Sequence, residues 1–122
     1  MEDTLLEIKA LAALIPKAVG EMLYDNKGID VVVLDLREAN SWTDFFVIAT
    51  ATSEAHMDGL ERRLKEFCHE KEIEILRRSR KPEGSEDEWR IIDLGQIVIH
   101  LMSRRARSFY DLERLYSMAL QL

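Results

Sequence analysis

Three aspartates, Asp35, Asp44 and Asp93, stand near the ends of apolar runs. Brought together they could supply oxygen ligands to a divalent cation such as Mg²⁺. Aspartate at such places also bonds turn backbone and ends a strand, and that reading is favoured. A nucleotide-transferring site would need more than carboxylates: a Gly-Ser turn followed by a paired Asp-x-Asp seats triphosphate and metal, and the chain lacks that combination. Of the three histidines, His56 and His69 fall in a helical pattern and read as surface residues. His100 alternates with Val98 and Met102 on one strand face, so a hydrogen-bonded, partly buried imidazole is favoured over a general base, for no nucleophile is adjacent. Cys68 shares the apolar stripe of a helix and reads as packed rather than reactive. A Gly-rich phosphate loop, His-Glu-x-x-His, a Gly-x-Ser-x-Gly elbow and a Cys-His pair at metal spacing are all absent from the sequence. The expectation is a protein that is not an enzyme, with no catalytic residue, no metal and no cofactor.

Recognition chemistry is better represented. The basic clusters Arg77/Arg78/Arg80/Lys81 and Arg104/Arg105/Arg107 are the argument for touching nucleic acid. Each is short and flanked by acid or by a helix start, so a solvated turn is the simpler reading, with RNA met only at the edge of a larger interface. Trp89 follows the carboxylates Glu83, Glu86, Asp87 and Glu88 in a polar loop and precedes Arg90, Ile91, Ile92 and Asp93. Tryptophan and arginine are enriched where binding energy concentrates. For Trp89 the core and interface readings stand level.

The elements that must hold these residues follow from periodicity. At 122 residues, 47% hydrophobic and 33% charged, the chain fits one globular domain. A domain of that size buries roughly two thirds of the surface its unfolded chain exposes. One cysteine excludes an intrachain disulfide scaffold and suggests a reducing compartment. Apolar runs such as Phe45-Phe46-Val47-Ile48-Ala49 fall far short of the roughly 20 residues needed to span a bilayer, and the start lacks the pattern of a secretory signal. A mature, cytoplasmic protein without membrane contact is expected.

Residues 1–28 read as a helical segment packing on the same domain, with Pro16 forcing a kink or two short helices and Gly28 supplying a left-handed stop. Residues 29–122 read as the α/β domain. Strands are expected over 31–36 and 45–51, separated by turn-formers that include Asn40, Ser41 and Asp44, and then a helix capped by Ser53 and ending near Lys71. A strand over 73–79 leads into the first basic cluster. Strands over 89–94 and 97–102 join at Gly95-Gln96 as a hairpin, and a last amphipathic helix covers 108–120. The result is an α/β fold: a mixed five-stranded sheet covered by helices.

At this level of detail the segments resemble a known family. Asp30-Val31-Val32-Val33-Leu34-Asp35-Leu36, Ser41-Trp42-Thr43-Asp44-Phe45-Phe46-Val47-Ile48-Ala49-Thr50 and Thr52-Ser53 resemble the first half of the ribosomal silencing factor (Iojap, YbeB-like) family. Trp89-Arg90-Ile91-Ile92-Asp93-Leu94-Gly95-Gln96-Ile97-Val98-Ile99-His100 and Arg107-Ser108-Phe109-Tyr110-Asp111-Leu112-Glu113-Arg114-Leu115-Tyr116 resemble the second. The likeness runs from about Ile29 to Tyr116, in order and at family spacing. Gln96 departs from the family's usual Asp and Tyr116 from its usual Trp; the first weakens any metal role for that turn, the second touches packing of the last helix.

The resemblance implies a nucleotidyltransferase-like fold without that activity. It also implies binding to the large ribosomal subunit on large-subunit ribosomal protein fourteen, where the bound factor blocks joining of the small subunit and damps translation when nutrients are scarce. Carried over by position, the partner-facing stretch is Trp89, Arg90, Ile91, Ile92, Asp93 and Leu94, while Asp44, Gly95, His100 and Tyr110 hold signature positions assigned to scaffold or rim. Self-association into a homodimer is implied as well.

Charge fits this picture. With 17 basic and 23 acidic residues the net charge is −6, which repels a phosphate backbone yet suits a basic protein. Two other readings stay open: a small nucleotidyltransferase-like protein that binds metal and nucleotide through Asp35, Asp44 or Asp93, and a homodimeric scaffold.

Overall fold

A computed structural model describes residues 2–39, 42–82, 85–116 and 119–122, except that the side chains of Glu2 and Leu120 are left out. Asn40, Ser41 and Glu83 lie outside the described residues. The elements run α1 (Glu2–Ala12), α2 (Leu14–Asp25), β1 (Ile29–Asp35), β2 (Phe45–Ala51), α3 (Glu54–Glu70), β3 (Arg77–Lys81), β4 (Trp89–Asp93), β5 (Ile97–Ser103), α4 (Arg104–Tyr110), α5 (Leu112–Leu115) and β6 (Leu120–Gln121).

The opening helical pattern divides at Ala13, so the two-helix form holds rather than one kinked rod. Pro16 sits third in α2, where the N–H it lacks would have had no partner within the helix. At the other end of α2 the left-handed residue is Lys27, at φ 73°, and not Gly28. Lys27 N–H reaches Tyr24 O at 3.0 Å and Gly28 N–H reaches Leu23 O at 2.8 Å, the paired bonds of a Schellman stop. Glycine is needed at 28 for proximity, because a Cβ there would come within 2.7 Å of Leu23 O.

The strands form one mixed sheet in the order β3-β4-β5-β2-β1-β6. β2 and β5 pair in parallel at its centre, and the other neighbours are antiparallel. Every residue of β2, and all of β5 but its last, is buried. That explains their unbroken apolar runs: strands covered on both faces need no polar alternation. On one face α2 and α3 pack Val19, Leu23, Met57, Leu60 and Leu64 against Val33, Phe45, Val47, Ile99 and Leu101. On the other face α4 and α5 contribute Ala106 and Leu112 to a smaller core with Leu34, Phe46, Ile48, Val98 and Met102.

Three further expectations need correction. The strand expected over 73–79 forms instead as β3, exposed along its whole length, while Ile73 and Ile75 lean on the core outside the ladder. Charged side chains on an edge strand discourage further pairing, so the basic run is the edge itself rather than a turn beyond it. The single last helix is broken by Asp111, at φ 42°, into α4 and α5. The chain then pairs β6 with β1, Leu34 opposite Gln121, which adds a sixth strand of two residues to the five expected.

Candidate functional site

β4 divides the stretch picked out by sequence into two sets. Trp89, Ile91 and Asp93 are half-buried on the side of α4 and α5, whereas Arg90 and Ile92 are buried on the side of α3. Arg90, 2% exposed, forms ion pairs with Glu88 (2.5 Å), Asp58 (2.6 Å) and Glu61 (3.4 Å). Arg90 and Ile92 are closed to solvent, so only alternate residues of the expected stretch are open, as strand geometry requires. Leu94 leans on the α3-side core, and its N–H bonds Ile97 O at 2.8 Å.

Around Trp89 lies a band of rings. The indole N–H of Trp89 donates to Nδ1 of His100 at 2.9 Å, and Trp89 packs on Tyr110 with ring centres 4.6 Å apart. Phe46 meets His100 edge-on at 4.4 Å and Tyr116 at 5.0 Å, with Trp42 at 6.1 Å. Phe109 adjoins Tyr110 at 5.1 Å. The band is buried in the middle and open at its ends: His100 is 3% exposed, Tyr110 40%, Trp42 66% and Phe109 81%. Large aromatic surface left in water at both ends of a half-buried tryptophan is the composition of a protein-binding patch. Sequence reasoning passed over Trp42, Phe46 and Phe109 as parts of one surface. Phe46 shares strand parity with Ile48, a usable signal; Trp42 precedes β2 and reaches the band only through tertiary packing.

Burial and the positive charge of Arg107 push the His100 pKa down to about 3. The ring is therefore neutral at physiological pH, and because Nδ1 accepts from Trp89, its proton sits on Nε2. That Nε2 is buried with no hydrogen-bond partner among the described residues.

The other signature positions build the neighbouring turn. Gly95 takes φ 97°, its N–H bonds Asp93 Oδ1 at 2.7 Å, and its carbonyl accepts from Thr43 Oγ1 at 3.1 Å. Asp44 contributes backbone: its N–H reaches Gln96 O at 3.1 Å and its carbonyl accepts from Leu36 N–H at 2.8 Å. Asp35 is held by Arg37 at 2.7 Å, and this hydrogen bond keeps its carboxyl below the usual range. Asp35 and Asp93 end strands three positions apart in the sheet, roughly 14 Å at normal strand spacing. Among the described residues, no three His, Cys, Asp or Glu side chains are grouped so as to hold a metal ion.

The remaining candidates are accounted for locally. His56 is no free surface residue: its Nδ1 accepts from Thr52 N–H at 3.0 Å and its Nε2 lies 3.1 Å from Asn26 O, tying α3 to the end of α2. Cys68 is packed, and burial raises its thiol pKa. Arg107 links Thr50 (3.0 Å), Asp30 O (2.8 Å) and Glu113 (3.0 Å), while Arg105 pairs with Glu86 and Asp87. Arg78 and Arg80 pair with carboxylates on the α3 side, and Arg77 stands 3.8 Å from Asp93. Among the described residues, no helix is long and apolar enough to cross a membrane.

Comparison with known proteins converges on one assignment. Residues 10–122 match the family described as "Ribosomal silencing factor during starvation". The chain is 42% identical over 101 residues to the ribosomal silencing factor RsfS of Treponema pallidum, covering 81% of this chain and 86% of that protein. It is 35% identical over 104 residues to the chloroplastic Iojap protein of Arabidopsis thaliana, covering 85% of this chain and 42% of that longer one. A crystal structure of a Chromobacterium violaceum protein superposes with a TM-score of 0.71 at 28% identity, over 83% of this chain and 82% of the other. With residues 10–122 matched by the family model and a relative 42% identical over most of both chains, the chain belongs to the ribosomal silencing factor family.

Proposed function

We propose that this protein is a translational repressor that binds the large ribosomal subunit through large-subunit ribosomal protein fourteen and prevents the small subunit from joining by occupying its place. The observation that carries this reading is the open aromatic band anchored on Trp89. Steric blocking asks for a rigid body and a docking face, and no group that makes or breaks bonds. A net charge of −6 favours encounter with a basic ribosomal protein over the RNA around it. A contact of about 800 Å² on each side is enough for stable binding.

The direct contacts in this proposal are Trp89, Ile91 and Asp93, with Tyr110 beside them; Arg90, Ile92 and Leu94 support the strand from within. By register Lys81 lies opposite Trp89 and Arg77 opposite Asp93, so these two cations share the docking face and supply a peripheral contact to ribosomal RNA. The protein works in the cytoplasm, and a second copy is a further partner. Co-sedimentation with purified large subunits tests the surface. Wild-type protein pellets with them, and Trp89→Ala, folded as judged by circular dichroism, binds at least about 30-fold more weakly, the loss corresponding to about 2 kcal/mol at a binding hot spot. Undiminished binding by Trp89→Ala would sink the assignment.

A further inference from the structure

His100 is an expensive residue for its place. It is buried in the sheet between Phe46 and the Trp89 side chain, and its Nε2 proton has no hydrogen-bond partner among the described residues. Leucine or phenylalanine would fill such a site without stranding a polar atom. What histidine supplies that they cannot is an acceptor at Nδ1, and that acceptor receives a single bond among the described residues, from the Trp89 indole. Trp89 itself is only half-buried, on an antiparallel strand beside the one that carries His100. Tyr110 flanks the indole, but a ring contact tolerates sliding and rotation; a 2.9 Å N–H···N bond fixes the direction in which the indole points.

We propose that His100 is the positioning residue of the docking face: its Nδ1 holds the Trp89 indole in its binding orientation before the partner arrives. This rests on Trp89 being a partner contact, as proposed above. Ordering the anchor in advance spares the complex the entropy of freezing it on contact. It also sets the chemistry of the contact. With its N–H engaged inside the protein, Trp89 offers the partner the carbon surface of its ring, suited to an aliphatic or cationic side chain rather than to a carbonyl acceptor. Because burial and Arg107 keep the imidazole neutral well below physiological pH, the bond persists across the working range.

The test uses the full chain with His100→Leu, His100→Asn and His100→Gln. Asparagine places an amide oxygen where Nδ1 stood, whereas glutamine carries its oxygen one carbon further out. Two readouts are taken: hydrogen exchange of the Trp89 indole N–H by NMR, and the dissociation constant for purified large subunits. The expected result is a protected indole N–H and binding within about twofold of wild type for His100→Asn. For His100→Leu and His100→Gln, the N–H exchanges as fast as that of Trp42 and binding weakens about tenfold, the upper range for one neutral hydrogen bond. Equal binding by the asparagine and glutamine variants overturns the proposal, and this comparison stands even if His100→Leu fails to fold. Trp89→Ala separates the two claims: if it binds like wild type, the docking surface is wrong; if it fails while folded His100→Leu and His100→Gln bind like wild type, only the role of His100 is wrong.

Discussion

His100 carries a measurable signature in stability as well as in binding. Its pKa is about 3 in the folded chain against an ordinary value of 6.5 when unfolded. Between these values the unfolded chain binds the extra proton, so stability is complete above about pH 6.5 and falls as pH drops toward 3. The slope is at most about 1.4 kcal/mol per pH unit. Urea denaturation between pH 6.5 and 5, where few carboxylates titrate, is expected to show this loss in the wild type and not in His100→Asn; parallel slopes would contradict it. Arg90 is the second residue whose environment decides its role. Its guanidinium is buried against Glu88 with Asp58 and Glu61 nearby, and removing one partner of a buried pair costs about 3–5 kcal/mol. Arg90→Ala should therefore lower the unfolding free energy by about that amount, and a loss under 1 kcal/mol would show the network to be dispensable. Sequence reading gave His100 as hydrogen-bonded and partly buried, which is close to what is seen, because strand alternation places its ring on a definite face. It could not give the partner, since Trp89 and His100 meet only across the β4–β5 ladder. Arg90, expected within a continuous contact strip, is buried, because a motif taken as a continuous string ignores the two-residue period of a strand.

At the level of elements, the legible parts are those with a local pattern. β1, β2, β5 and α3 carry apolar periodicity or caps that sequence alone displays, and their observed bounds lie within about two residues of expectation. Ser53 is an instance: its side chain accepts the His56 N–H at 3.0 Å, the N-cap expected from residue type and place. Ser53→Ala should cost about 1 kcal/mol in chemical denaturation and leave docking unchanged, since α3 packs on the opposite side of the sheet from Trp89. A larger loss of binding than of stability would mean that the α3 face takes part in docking. The illegible elements owe their existence to distant pairing. β3 has no apolar alternation and is a strand because β4 offers a ladder; β6 is two residues long and exists through its bonds to β1. The break at Asp111 was hidden because Phe109, Leu112, Leu115 and Tyr116 keep helical spacing across it. The break leaves Leu112 in the core and Phe109 in solvent at one end of the aromatic band.

Taken as a whole, the molecule presents two unlike faces of one sheet. The α2 and α3 side is closed by a continuous apolar core, and the α4 and α5 side is covered in part, leaving aromatic surface at its margins. Family membership was readable from sequence because the signature segments recur in order, and the structure adds which of their residues reach the surface. An acidic body of 122 residues with one open aromatic face is suited to act by occupying a site. Occlusion is tested by light scattering of ribosomal subunits mixed at joining conditions. Added wild-type protein is predicted to suppress the rise in scattering in proportion to its occupancy of the large subunit, while Trp89→Ala leaves joining intact at the same concentration. Full joining with large subunits saturated by wild-type protein would contradict the account.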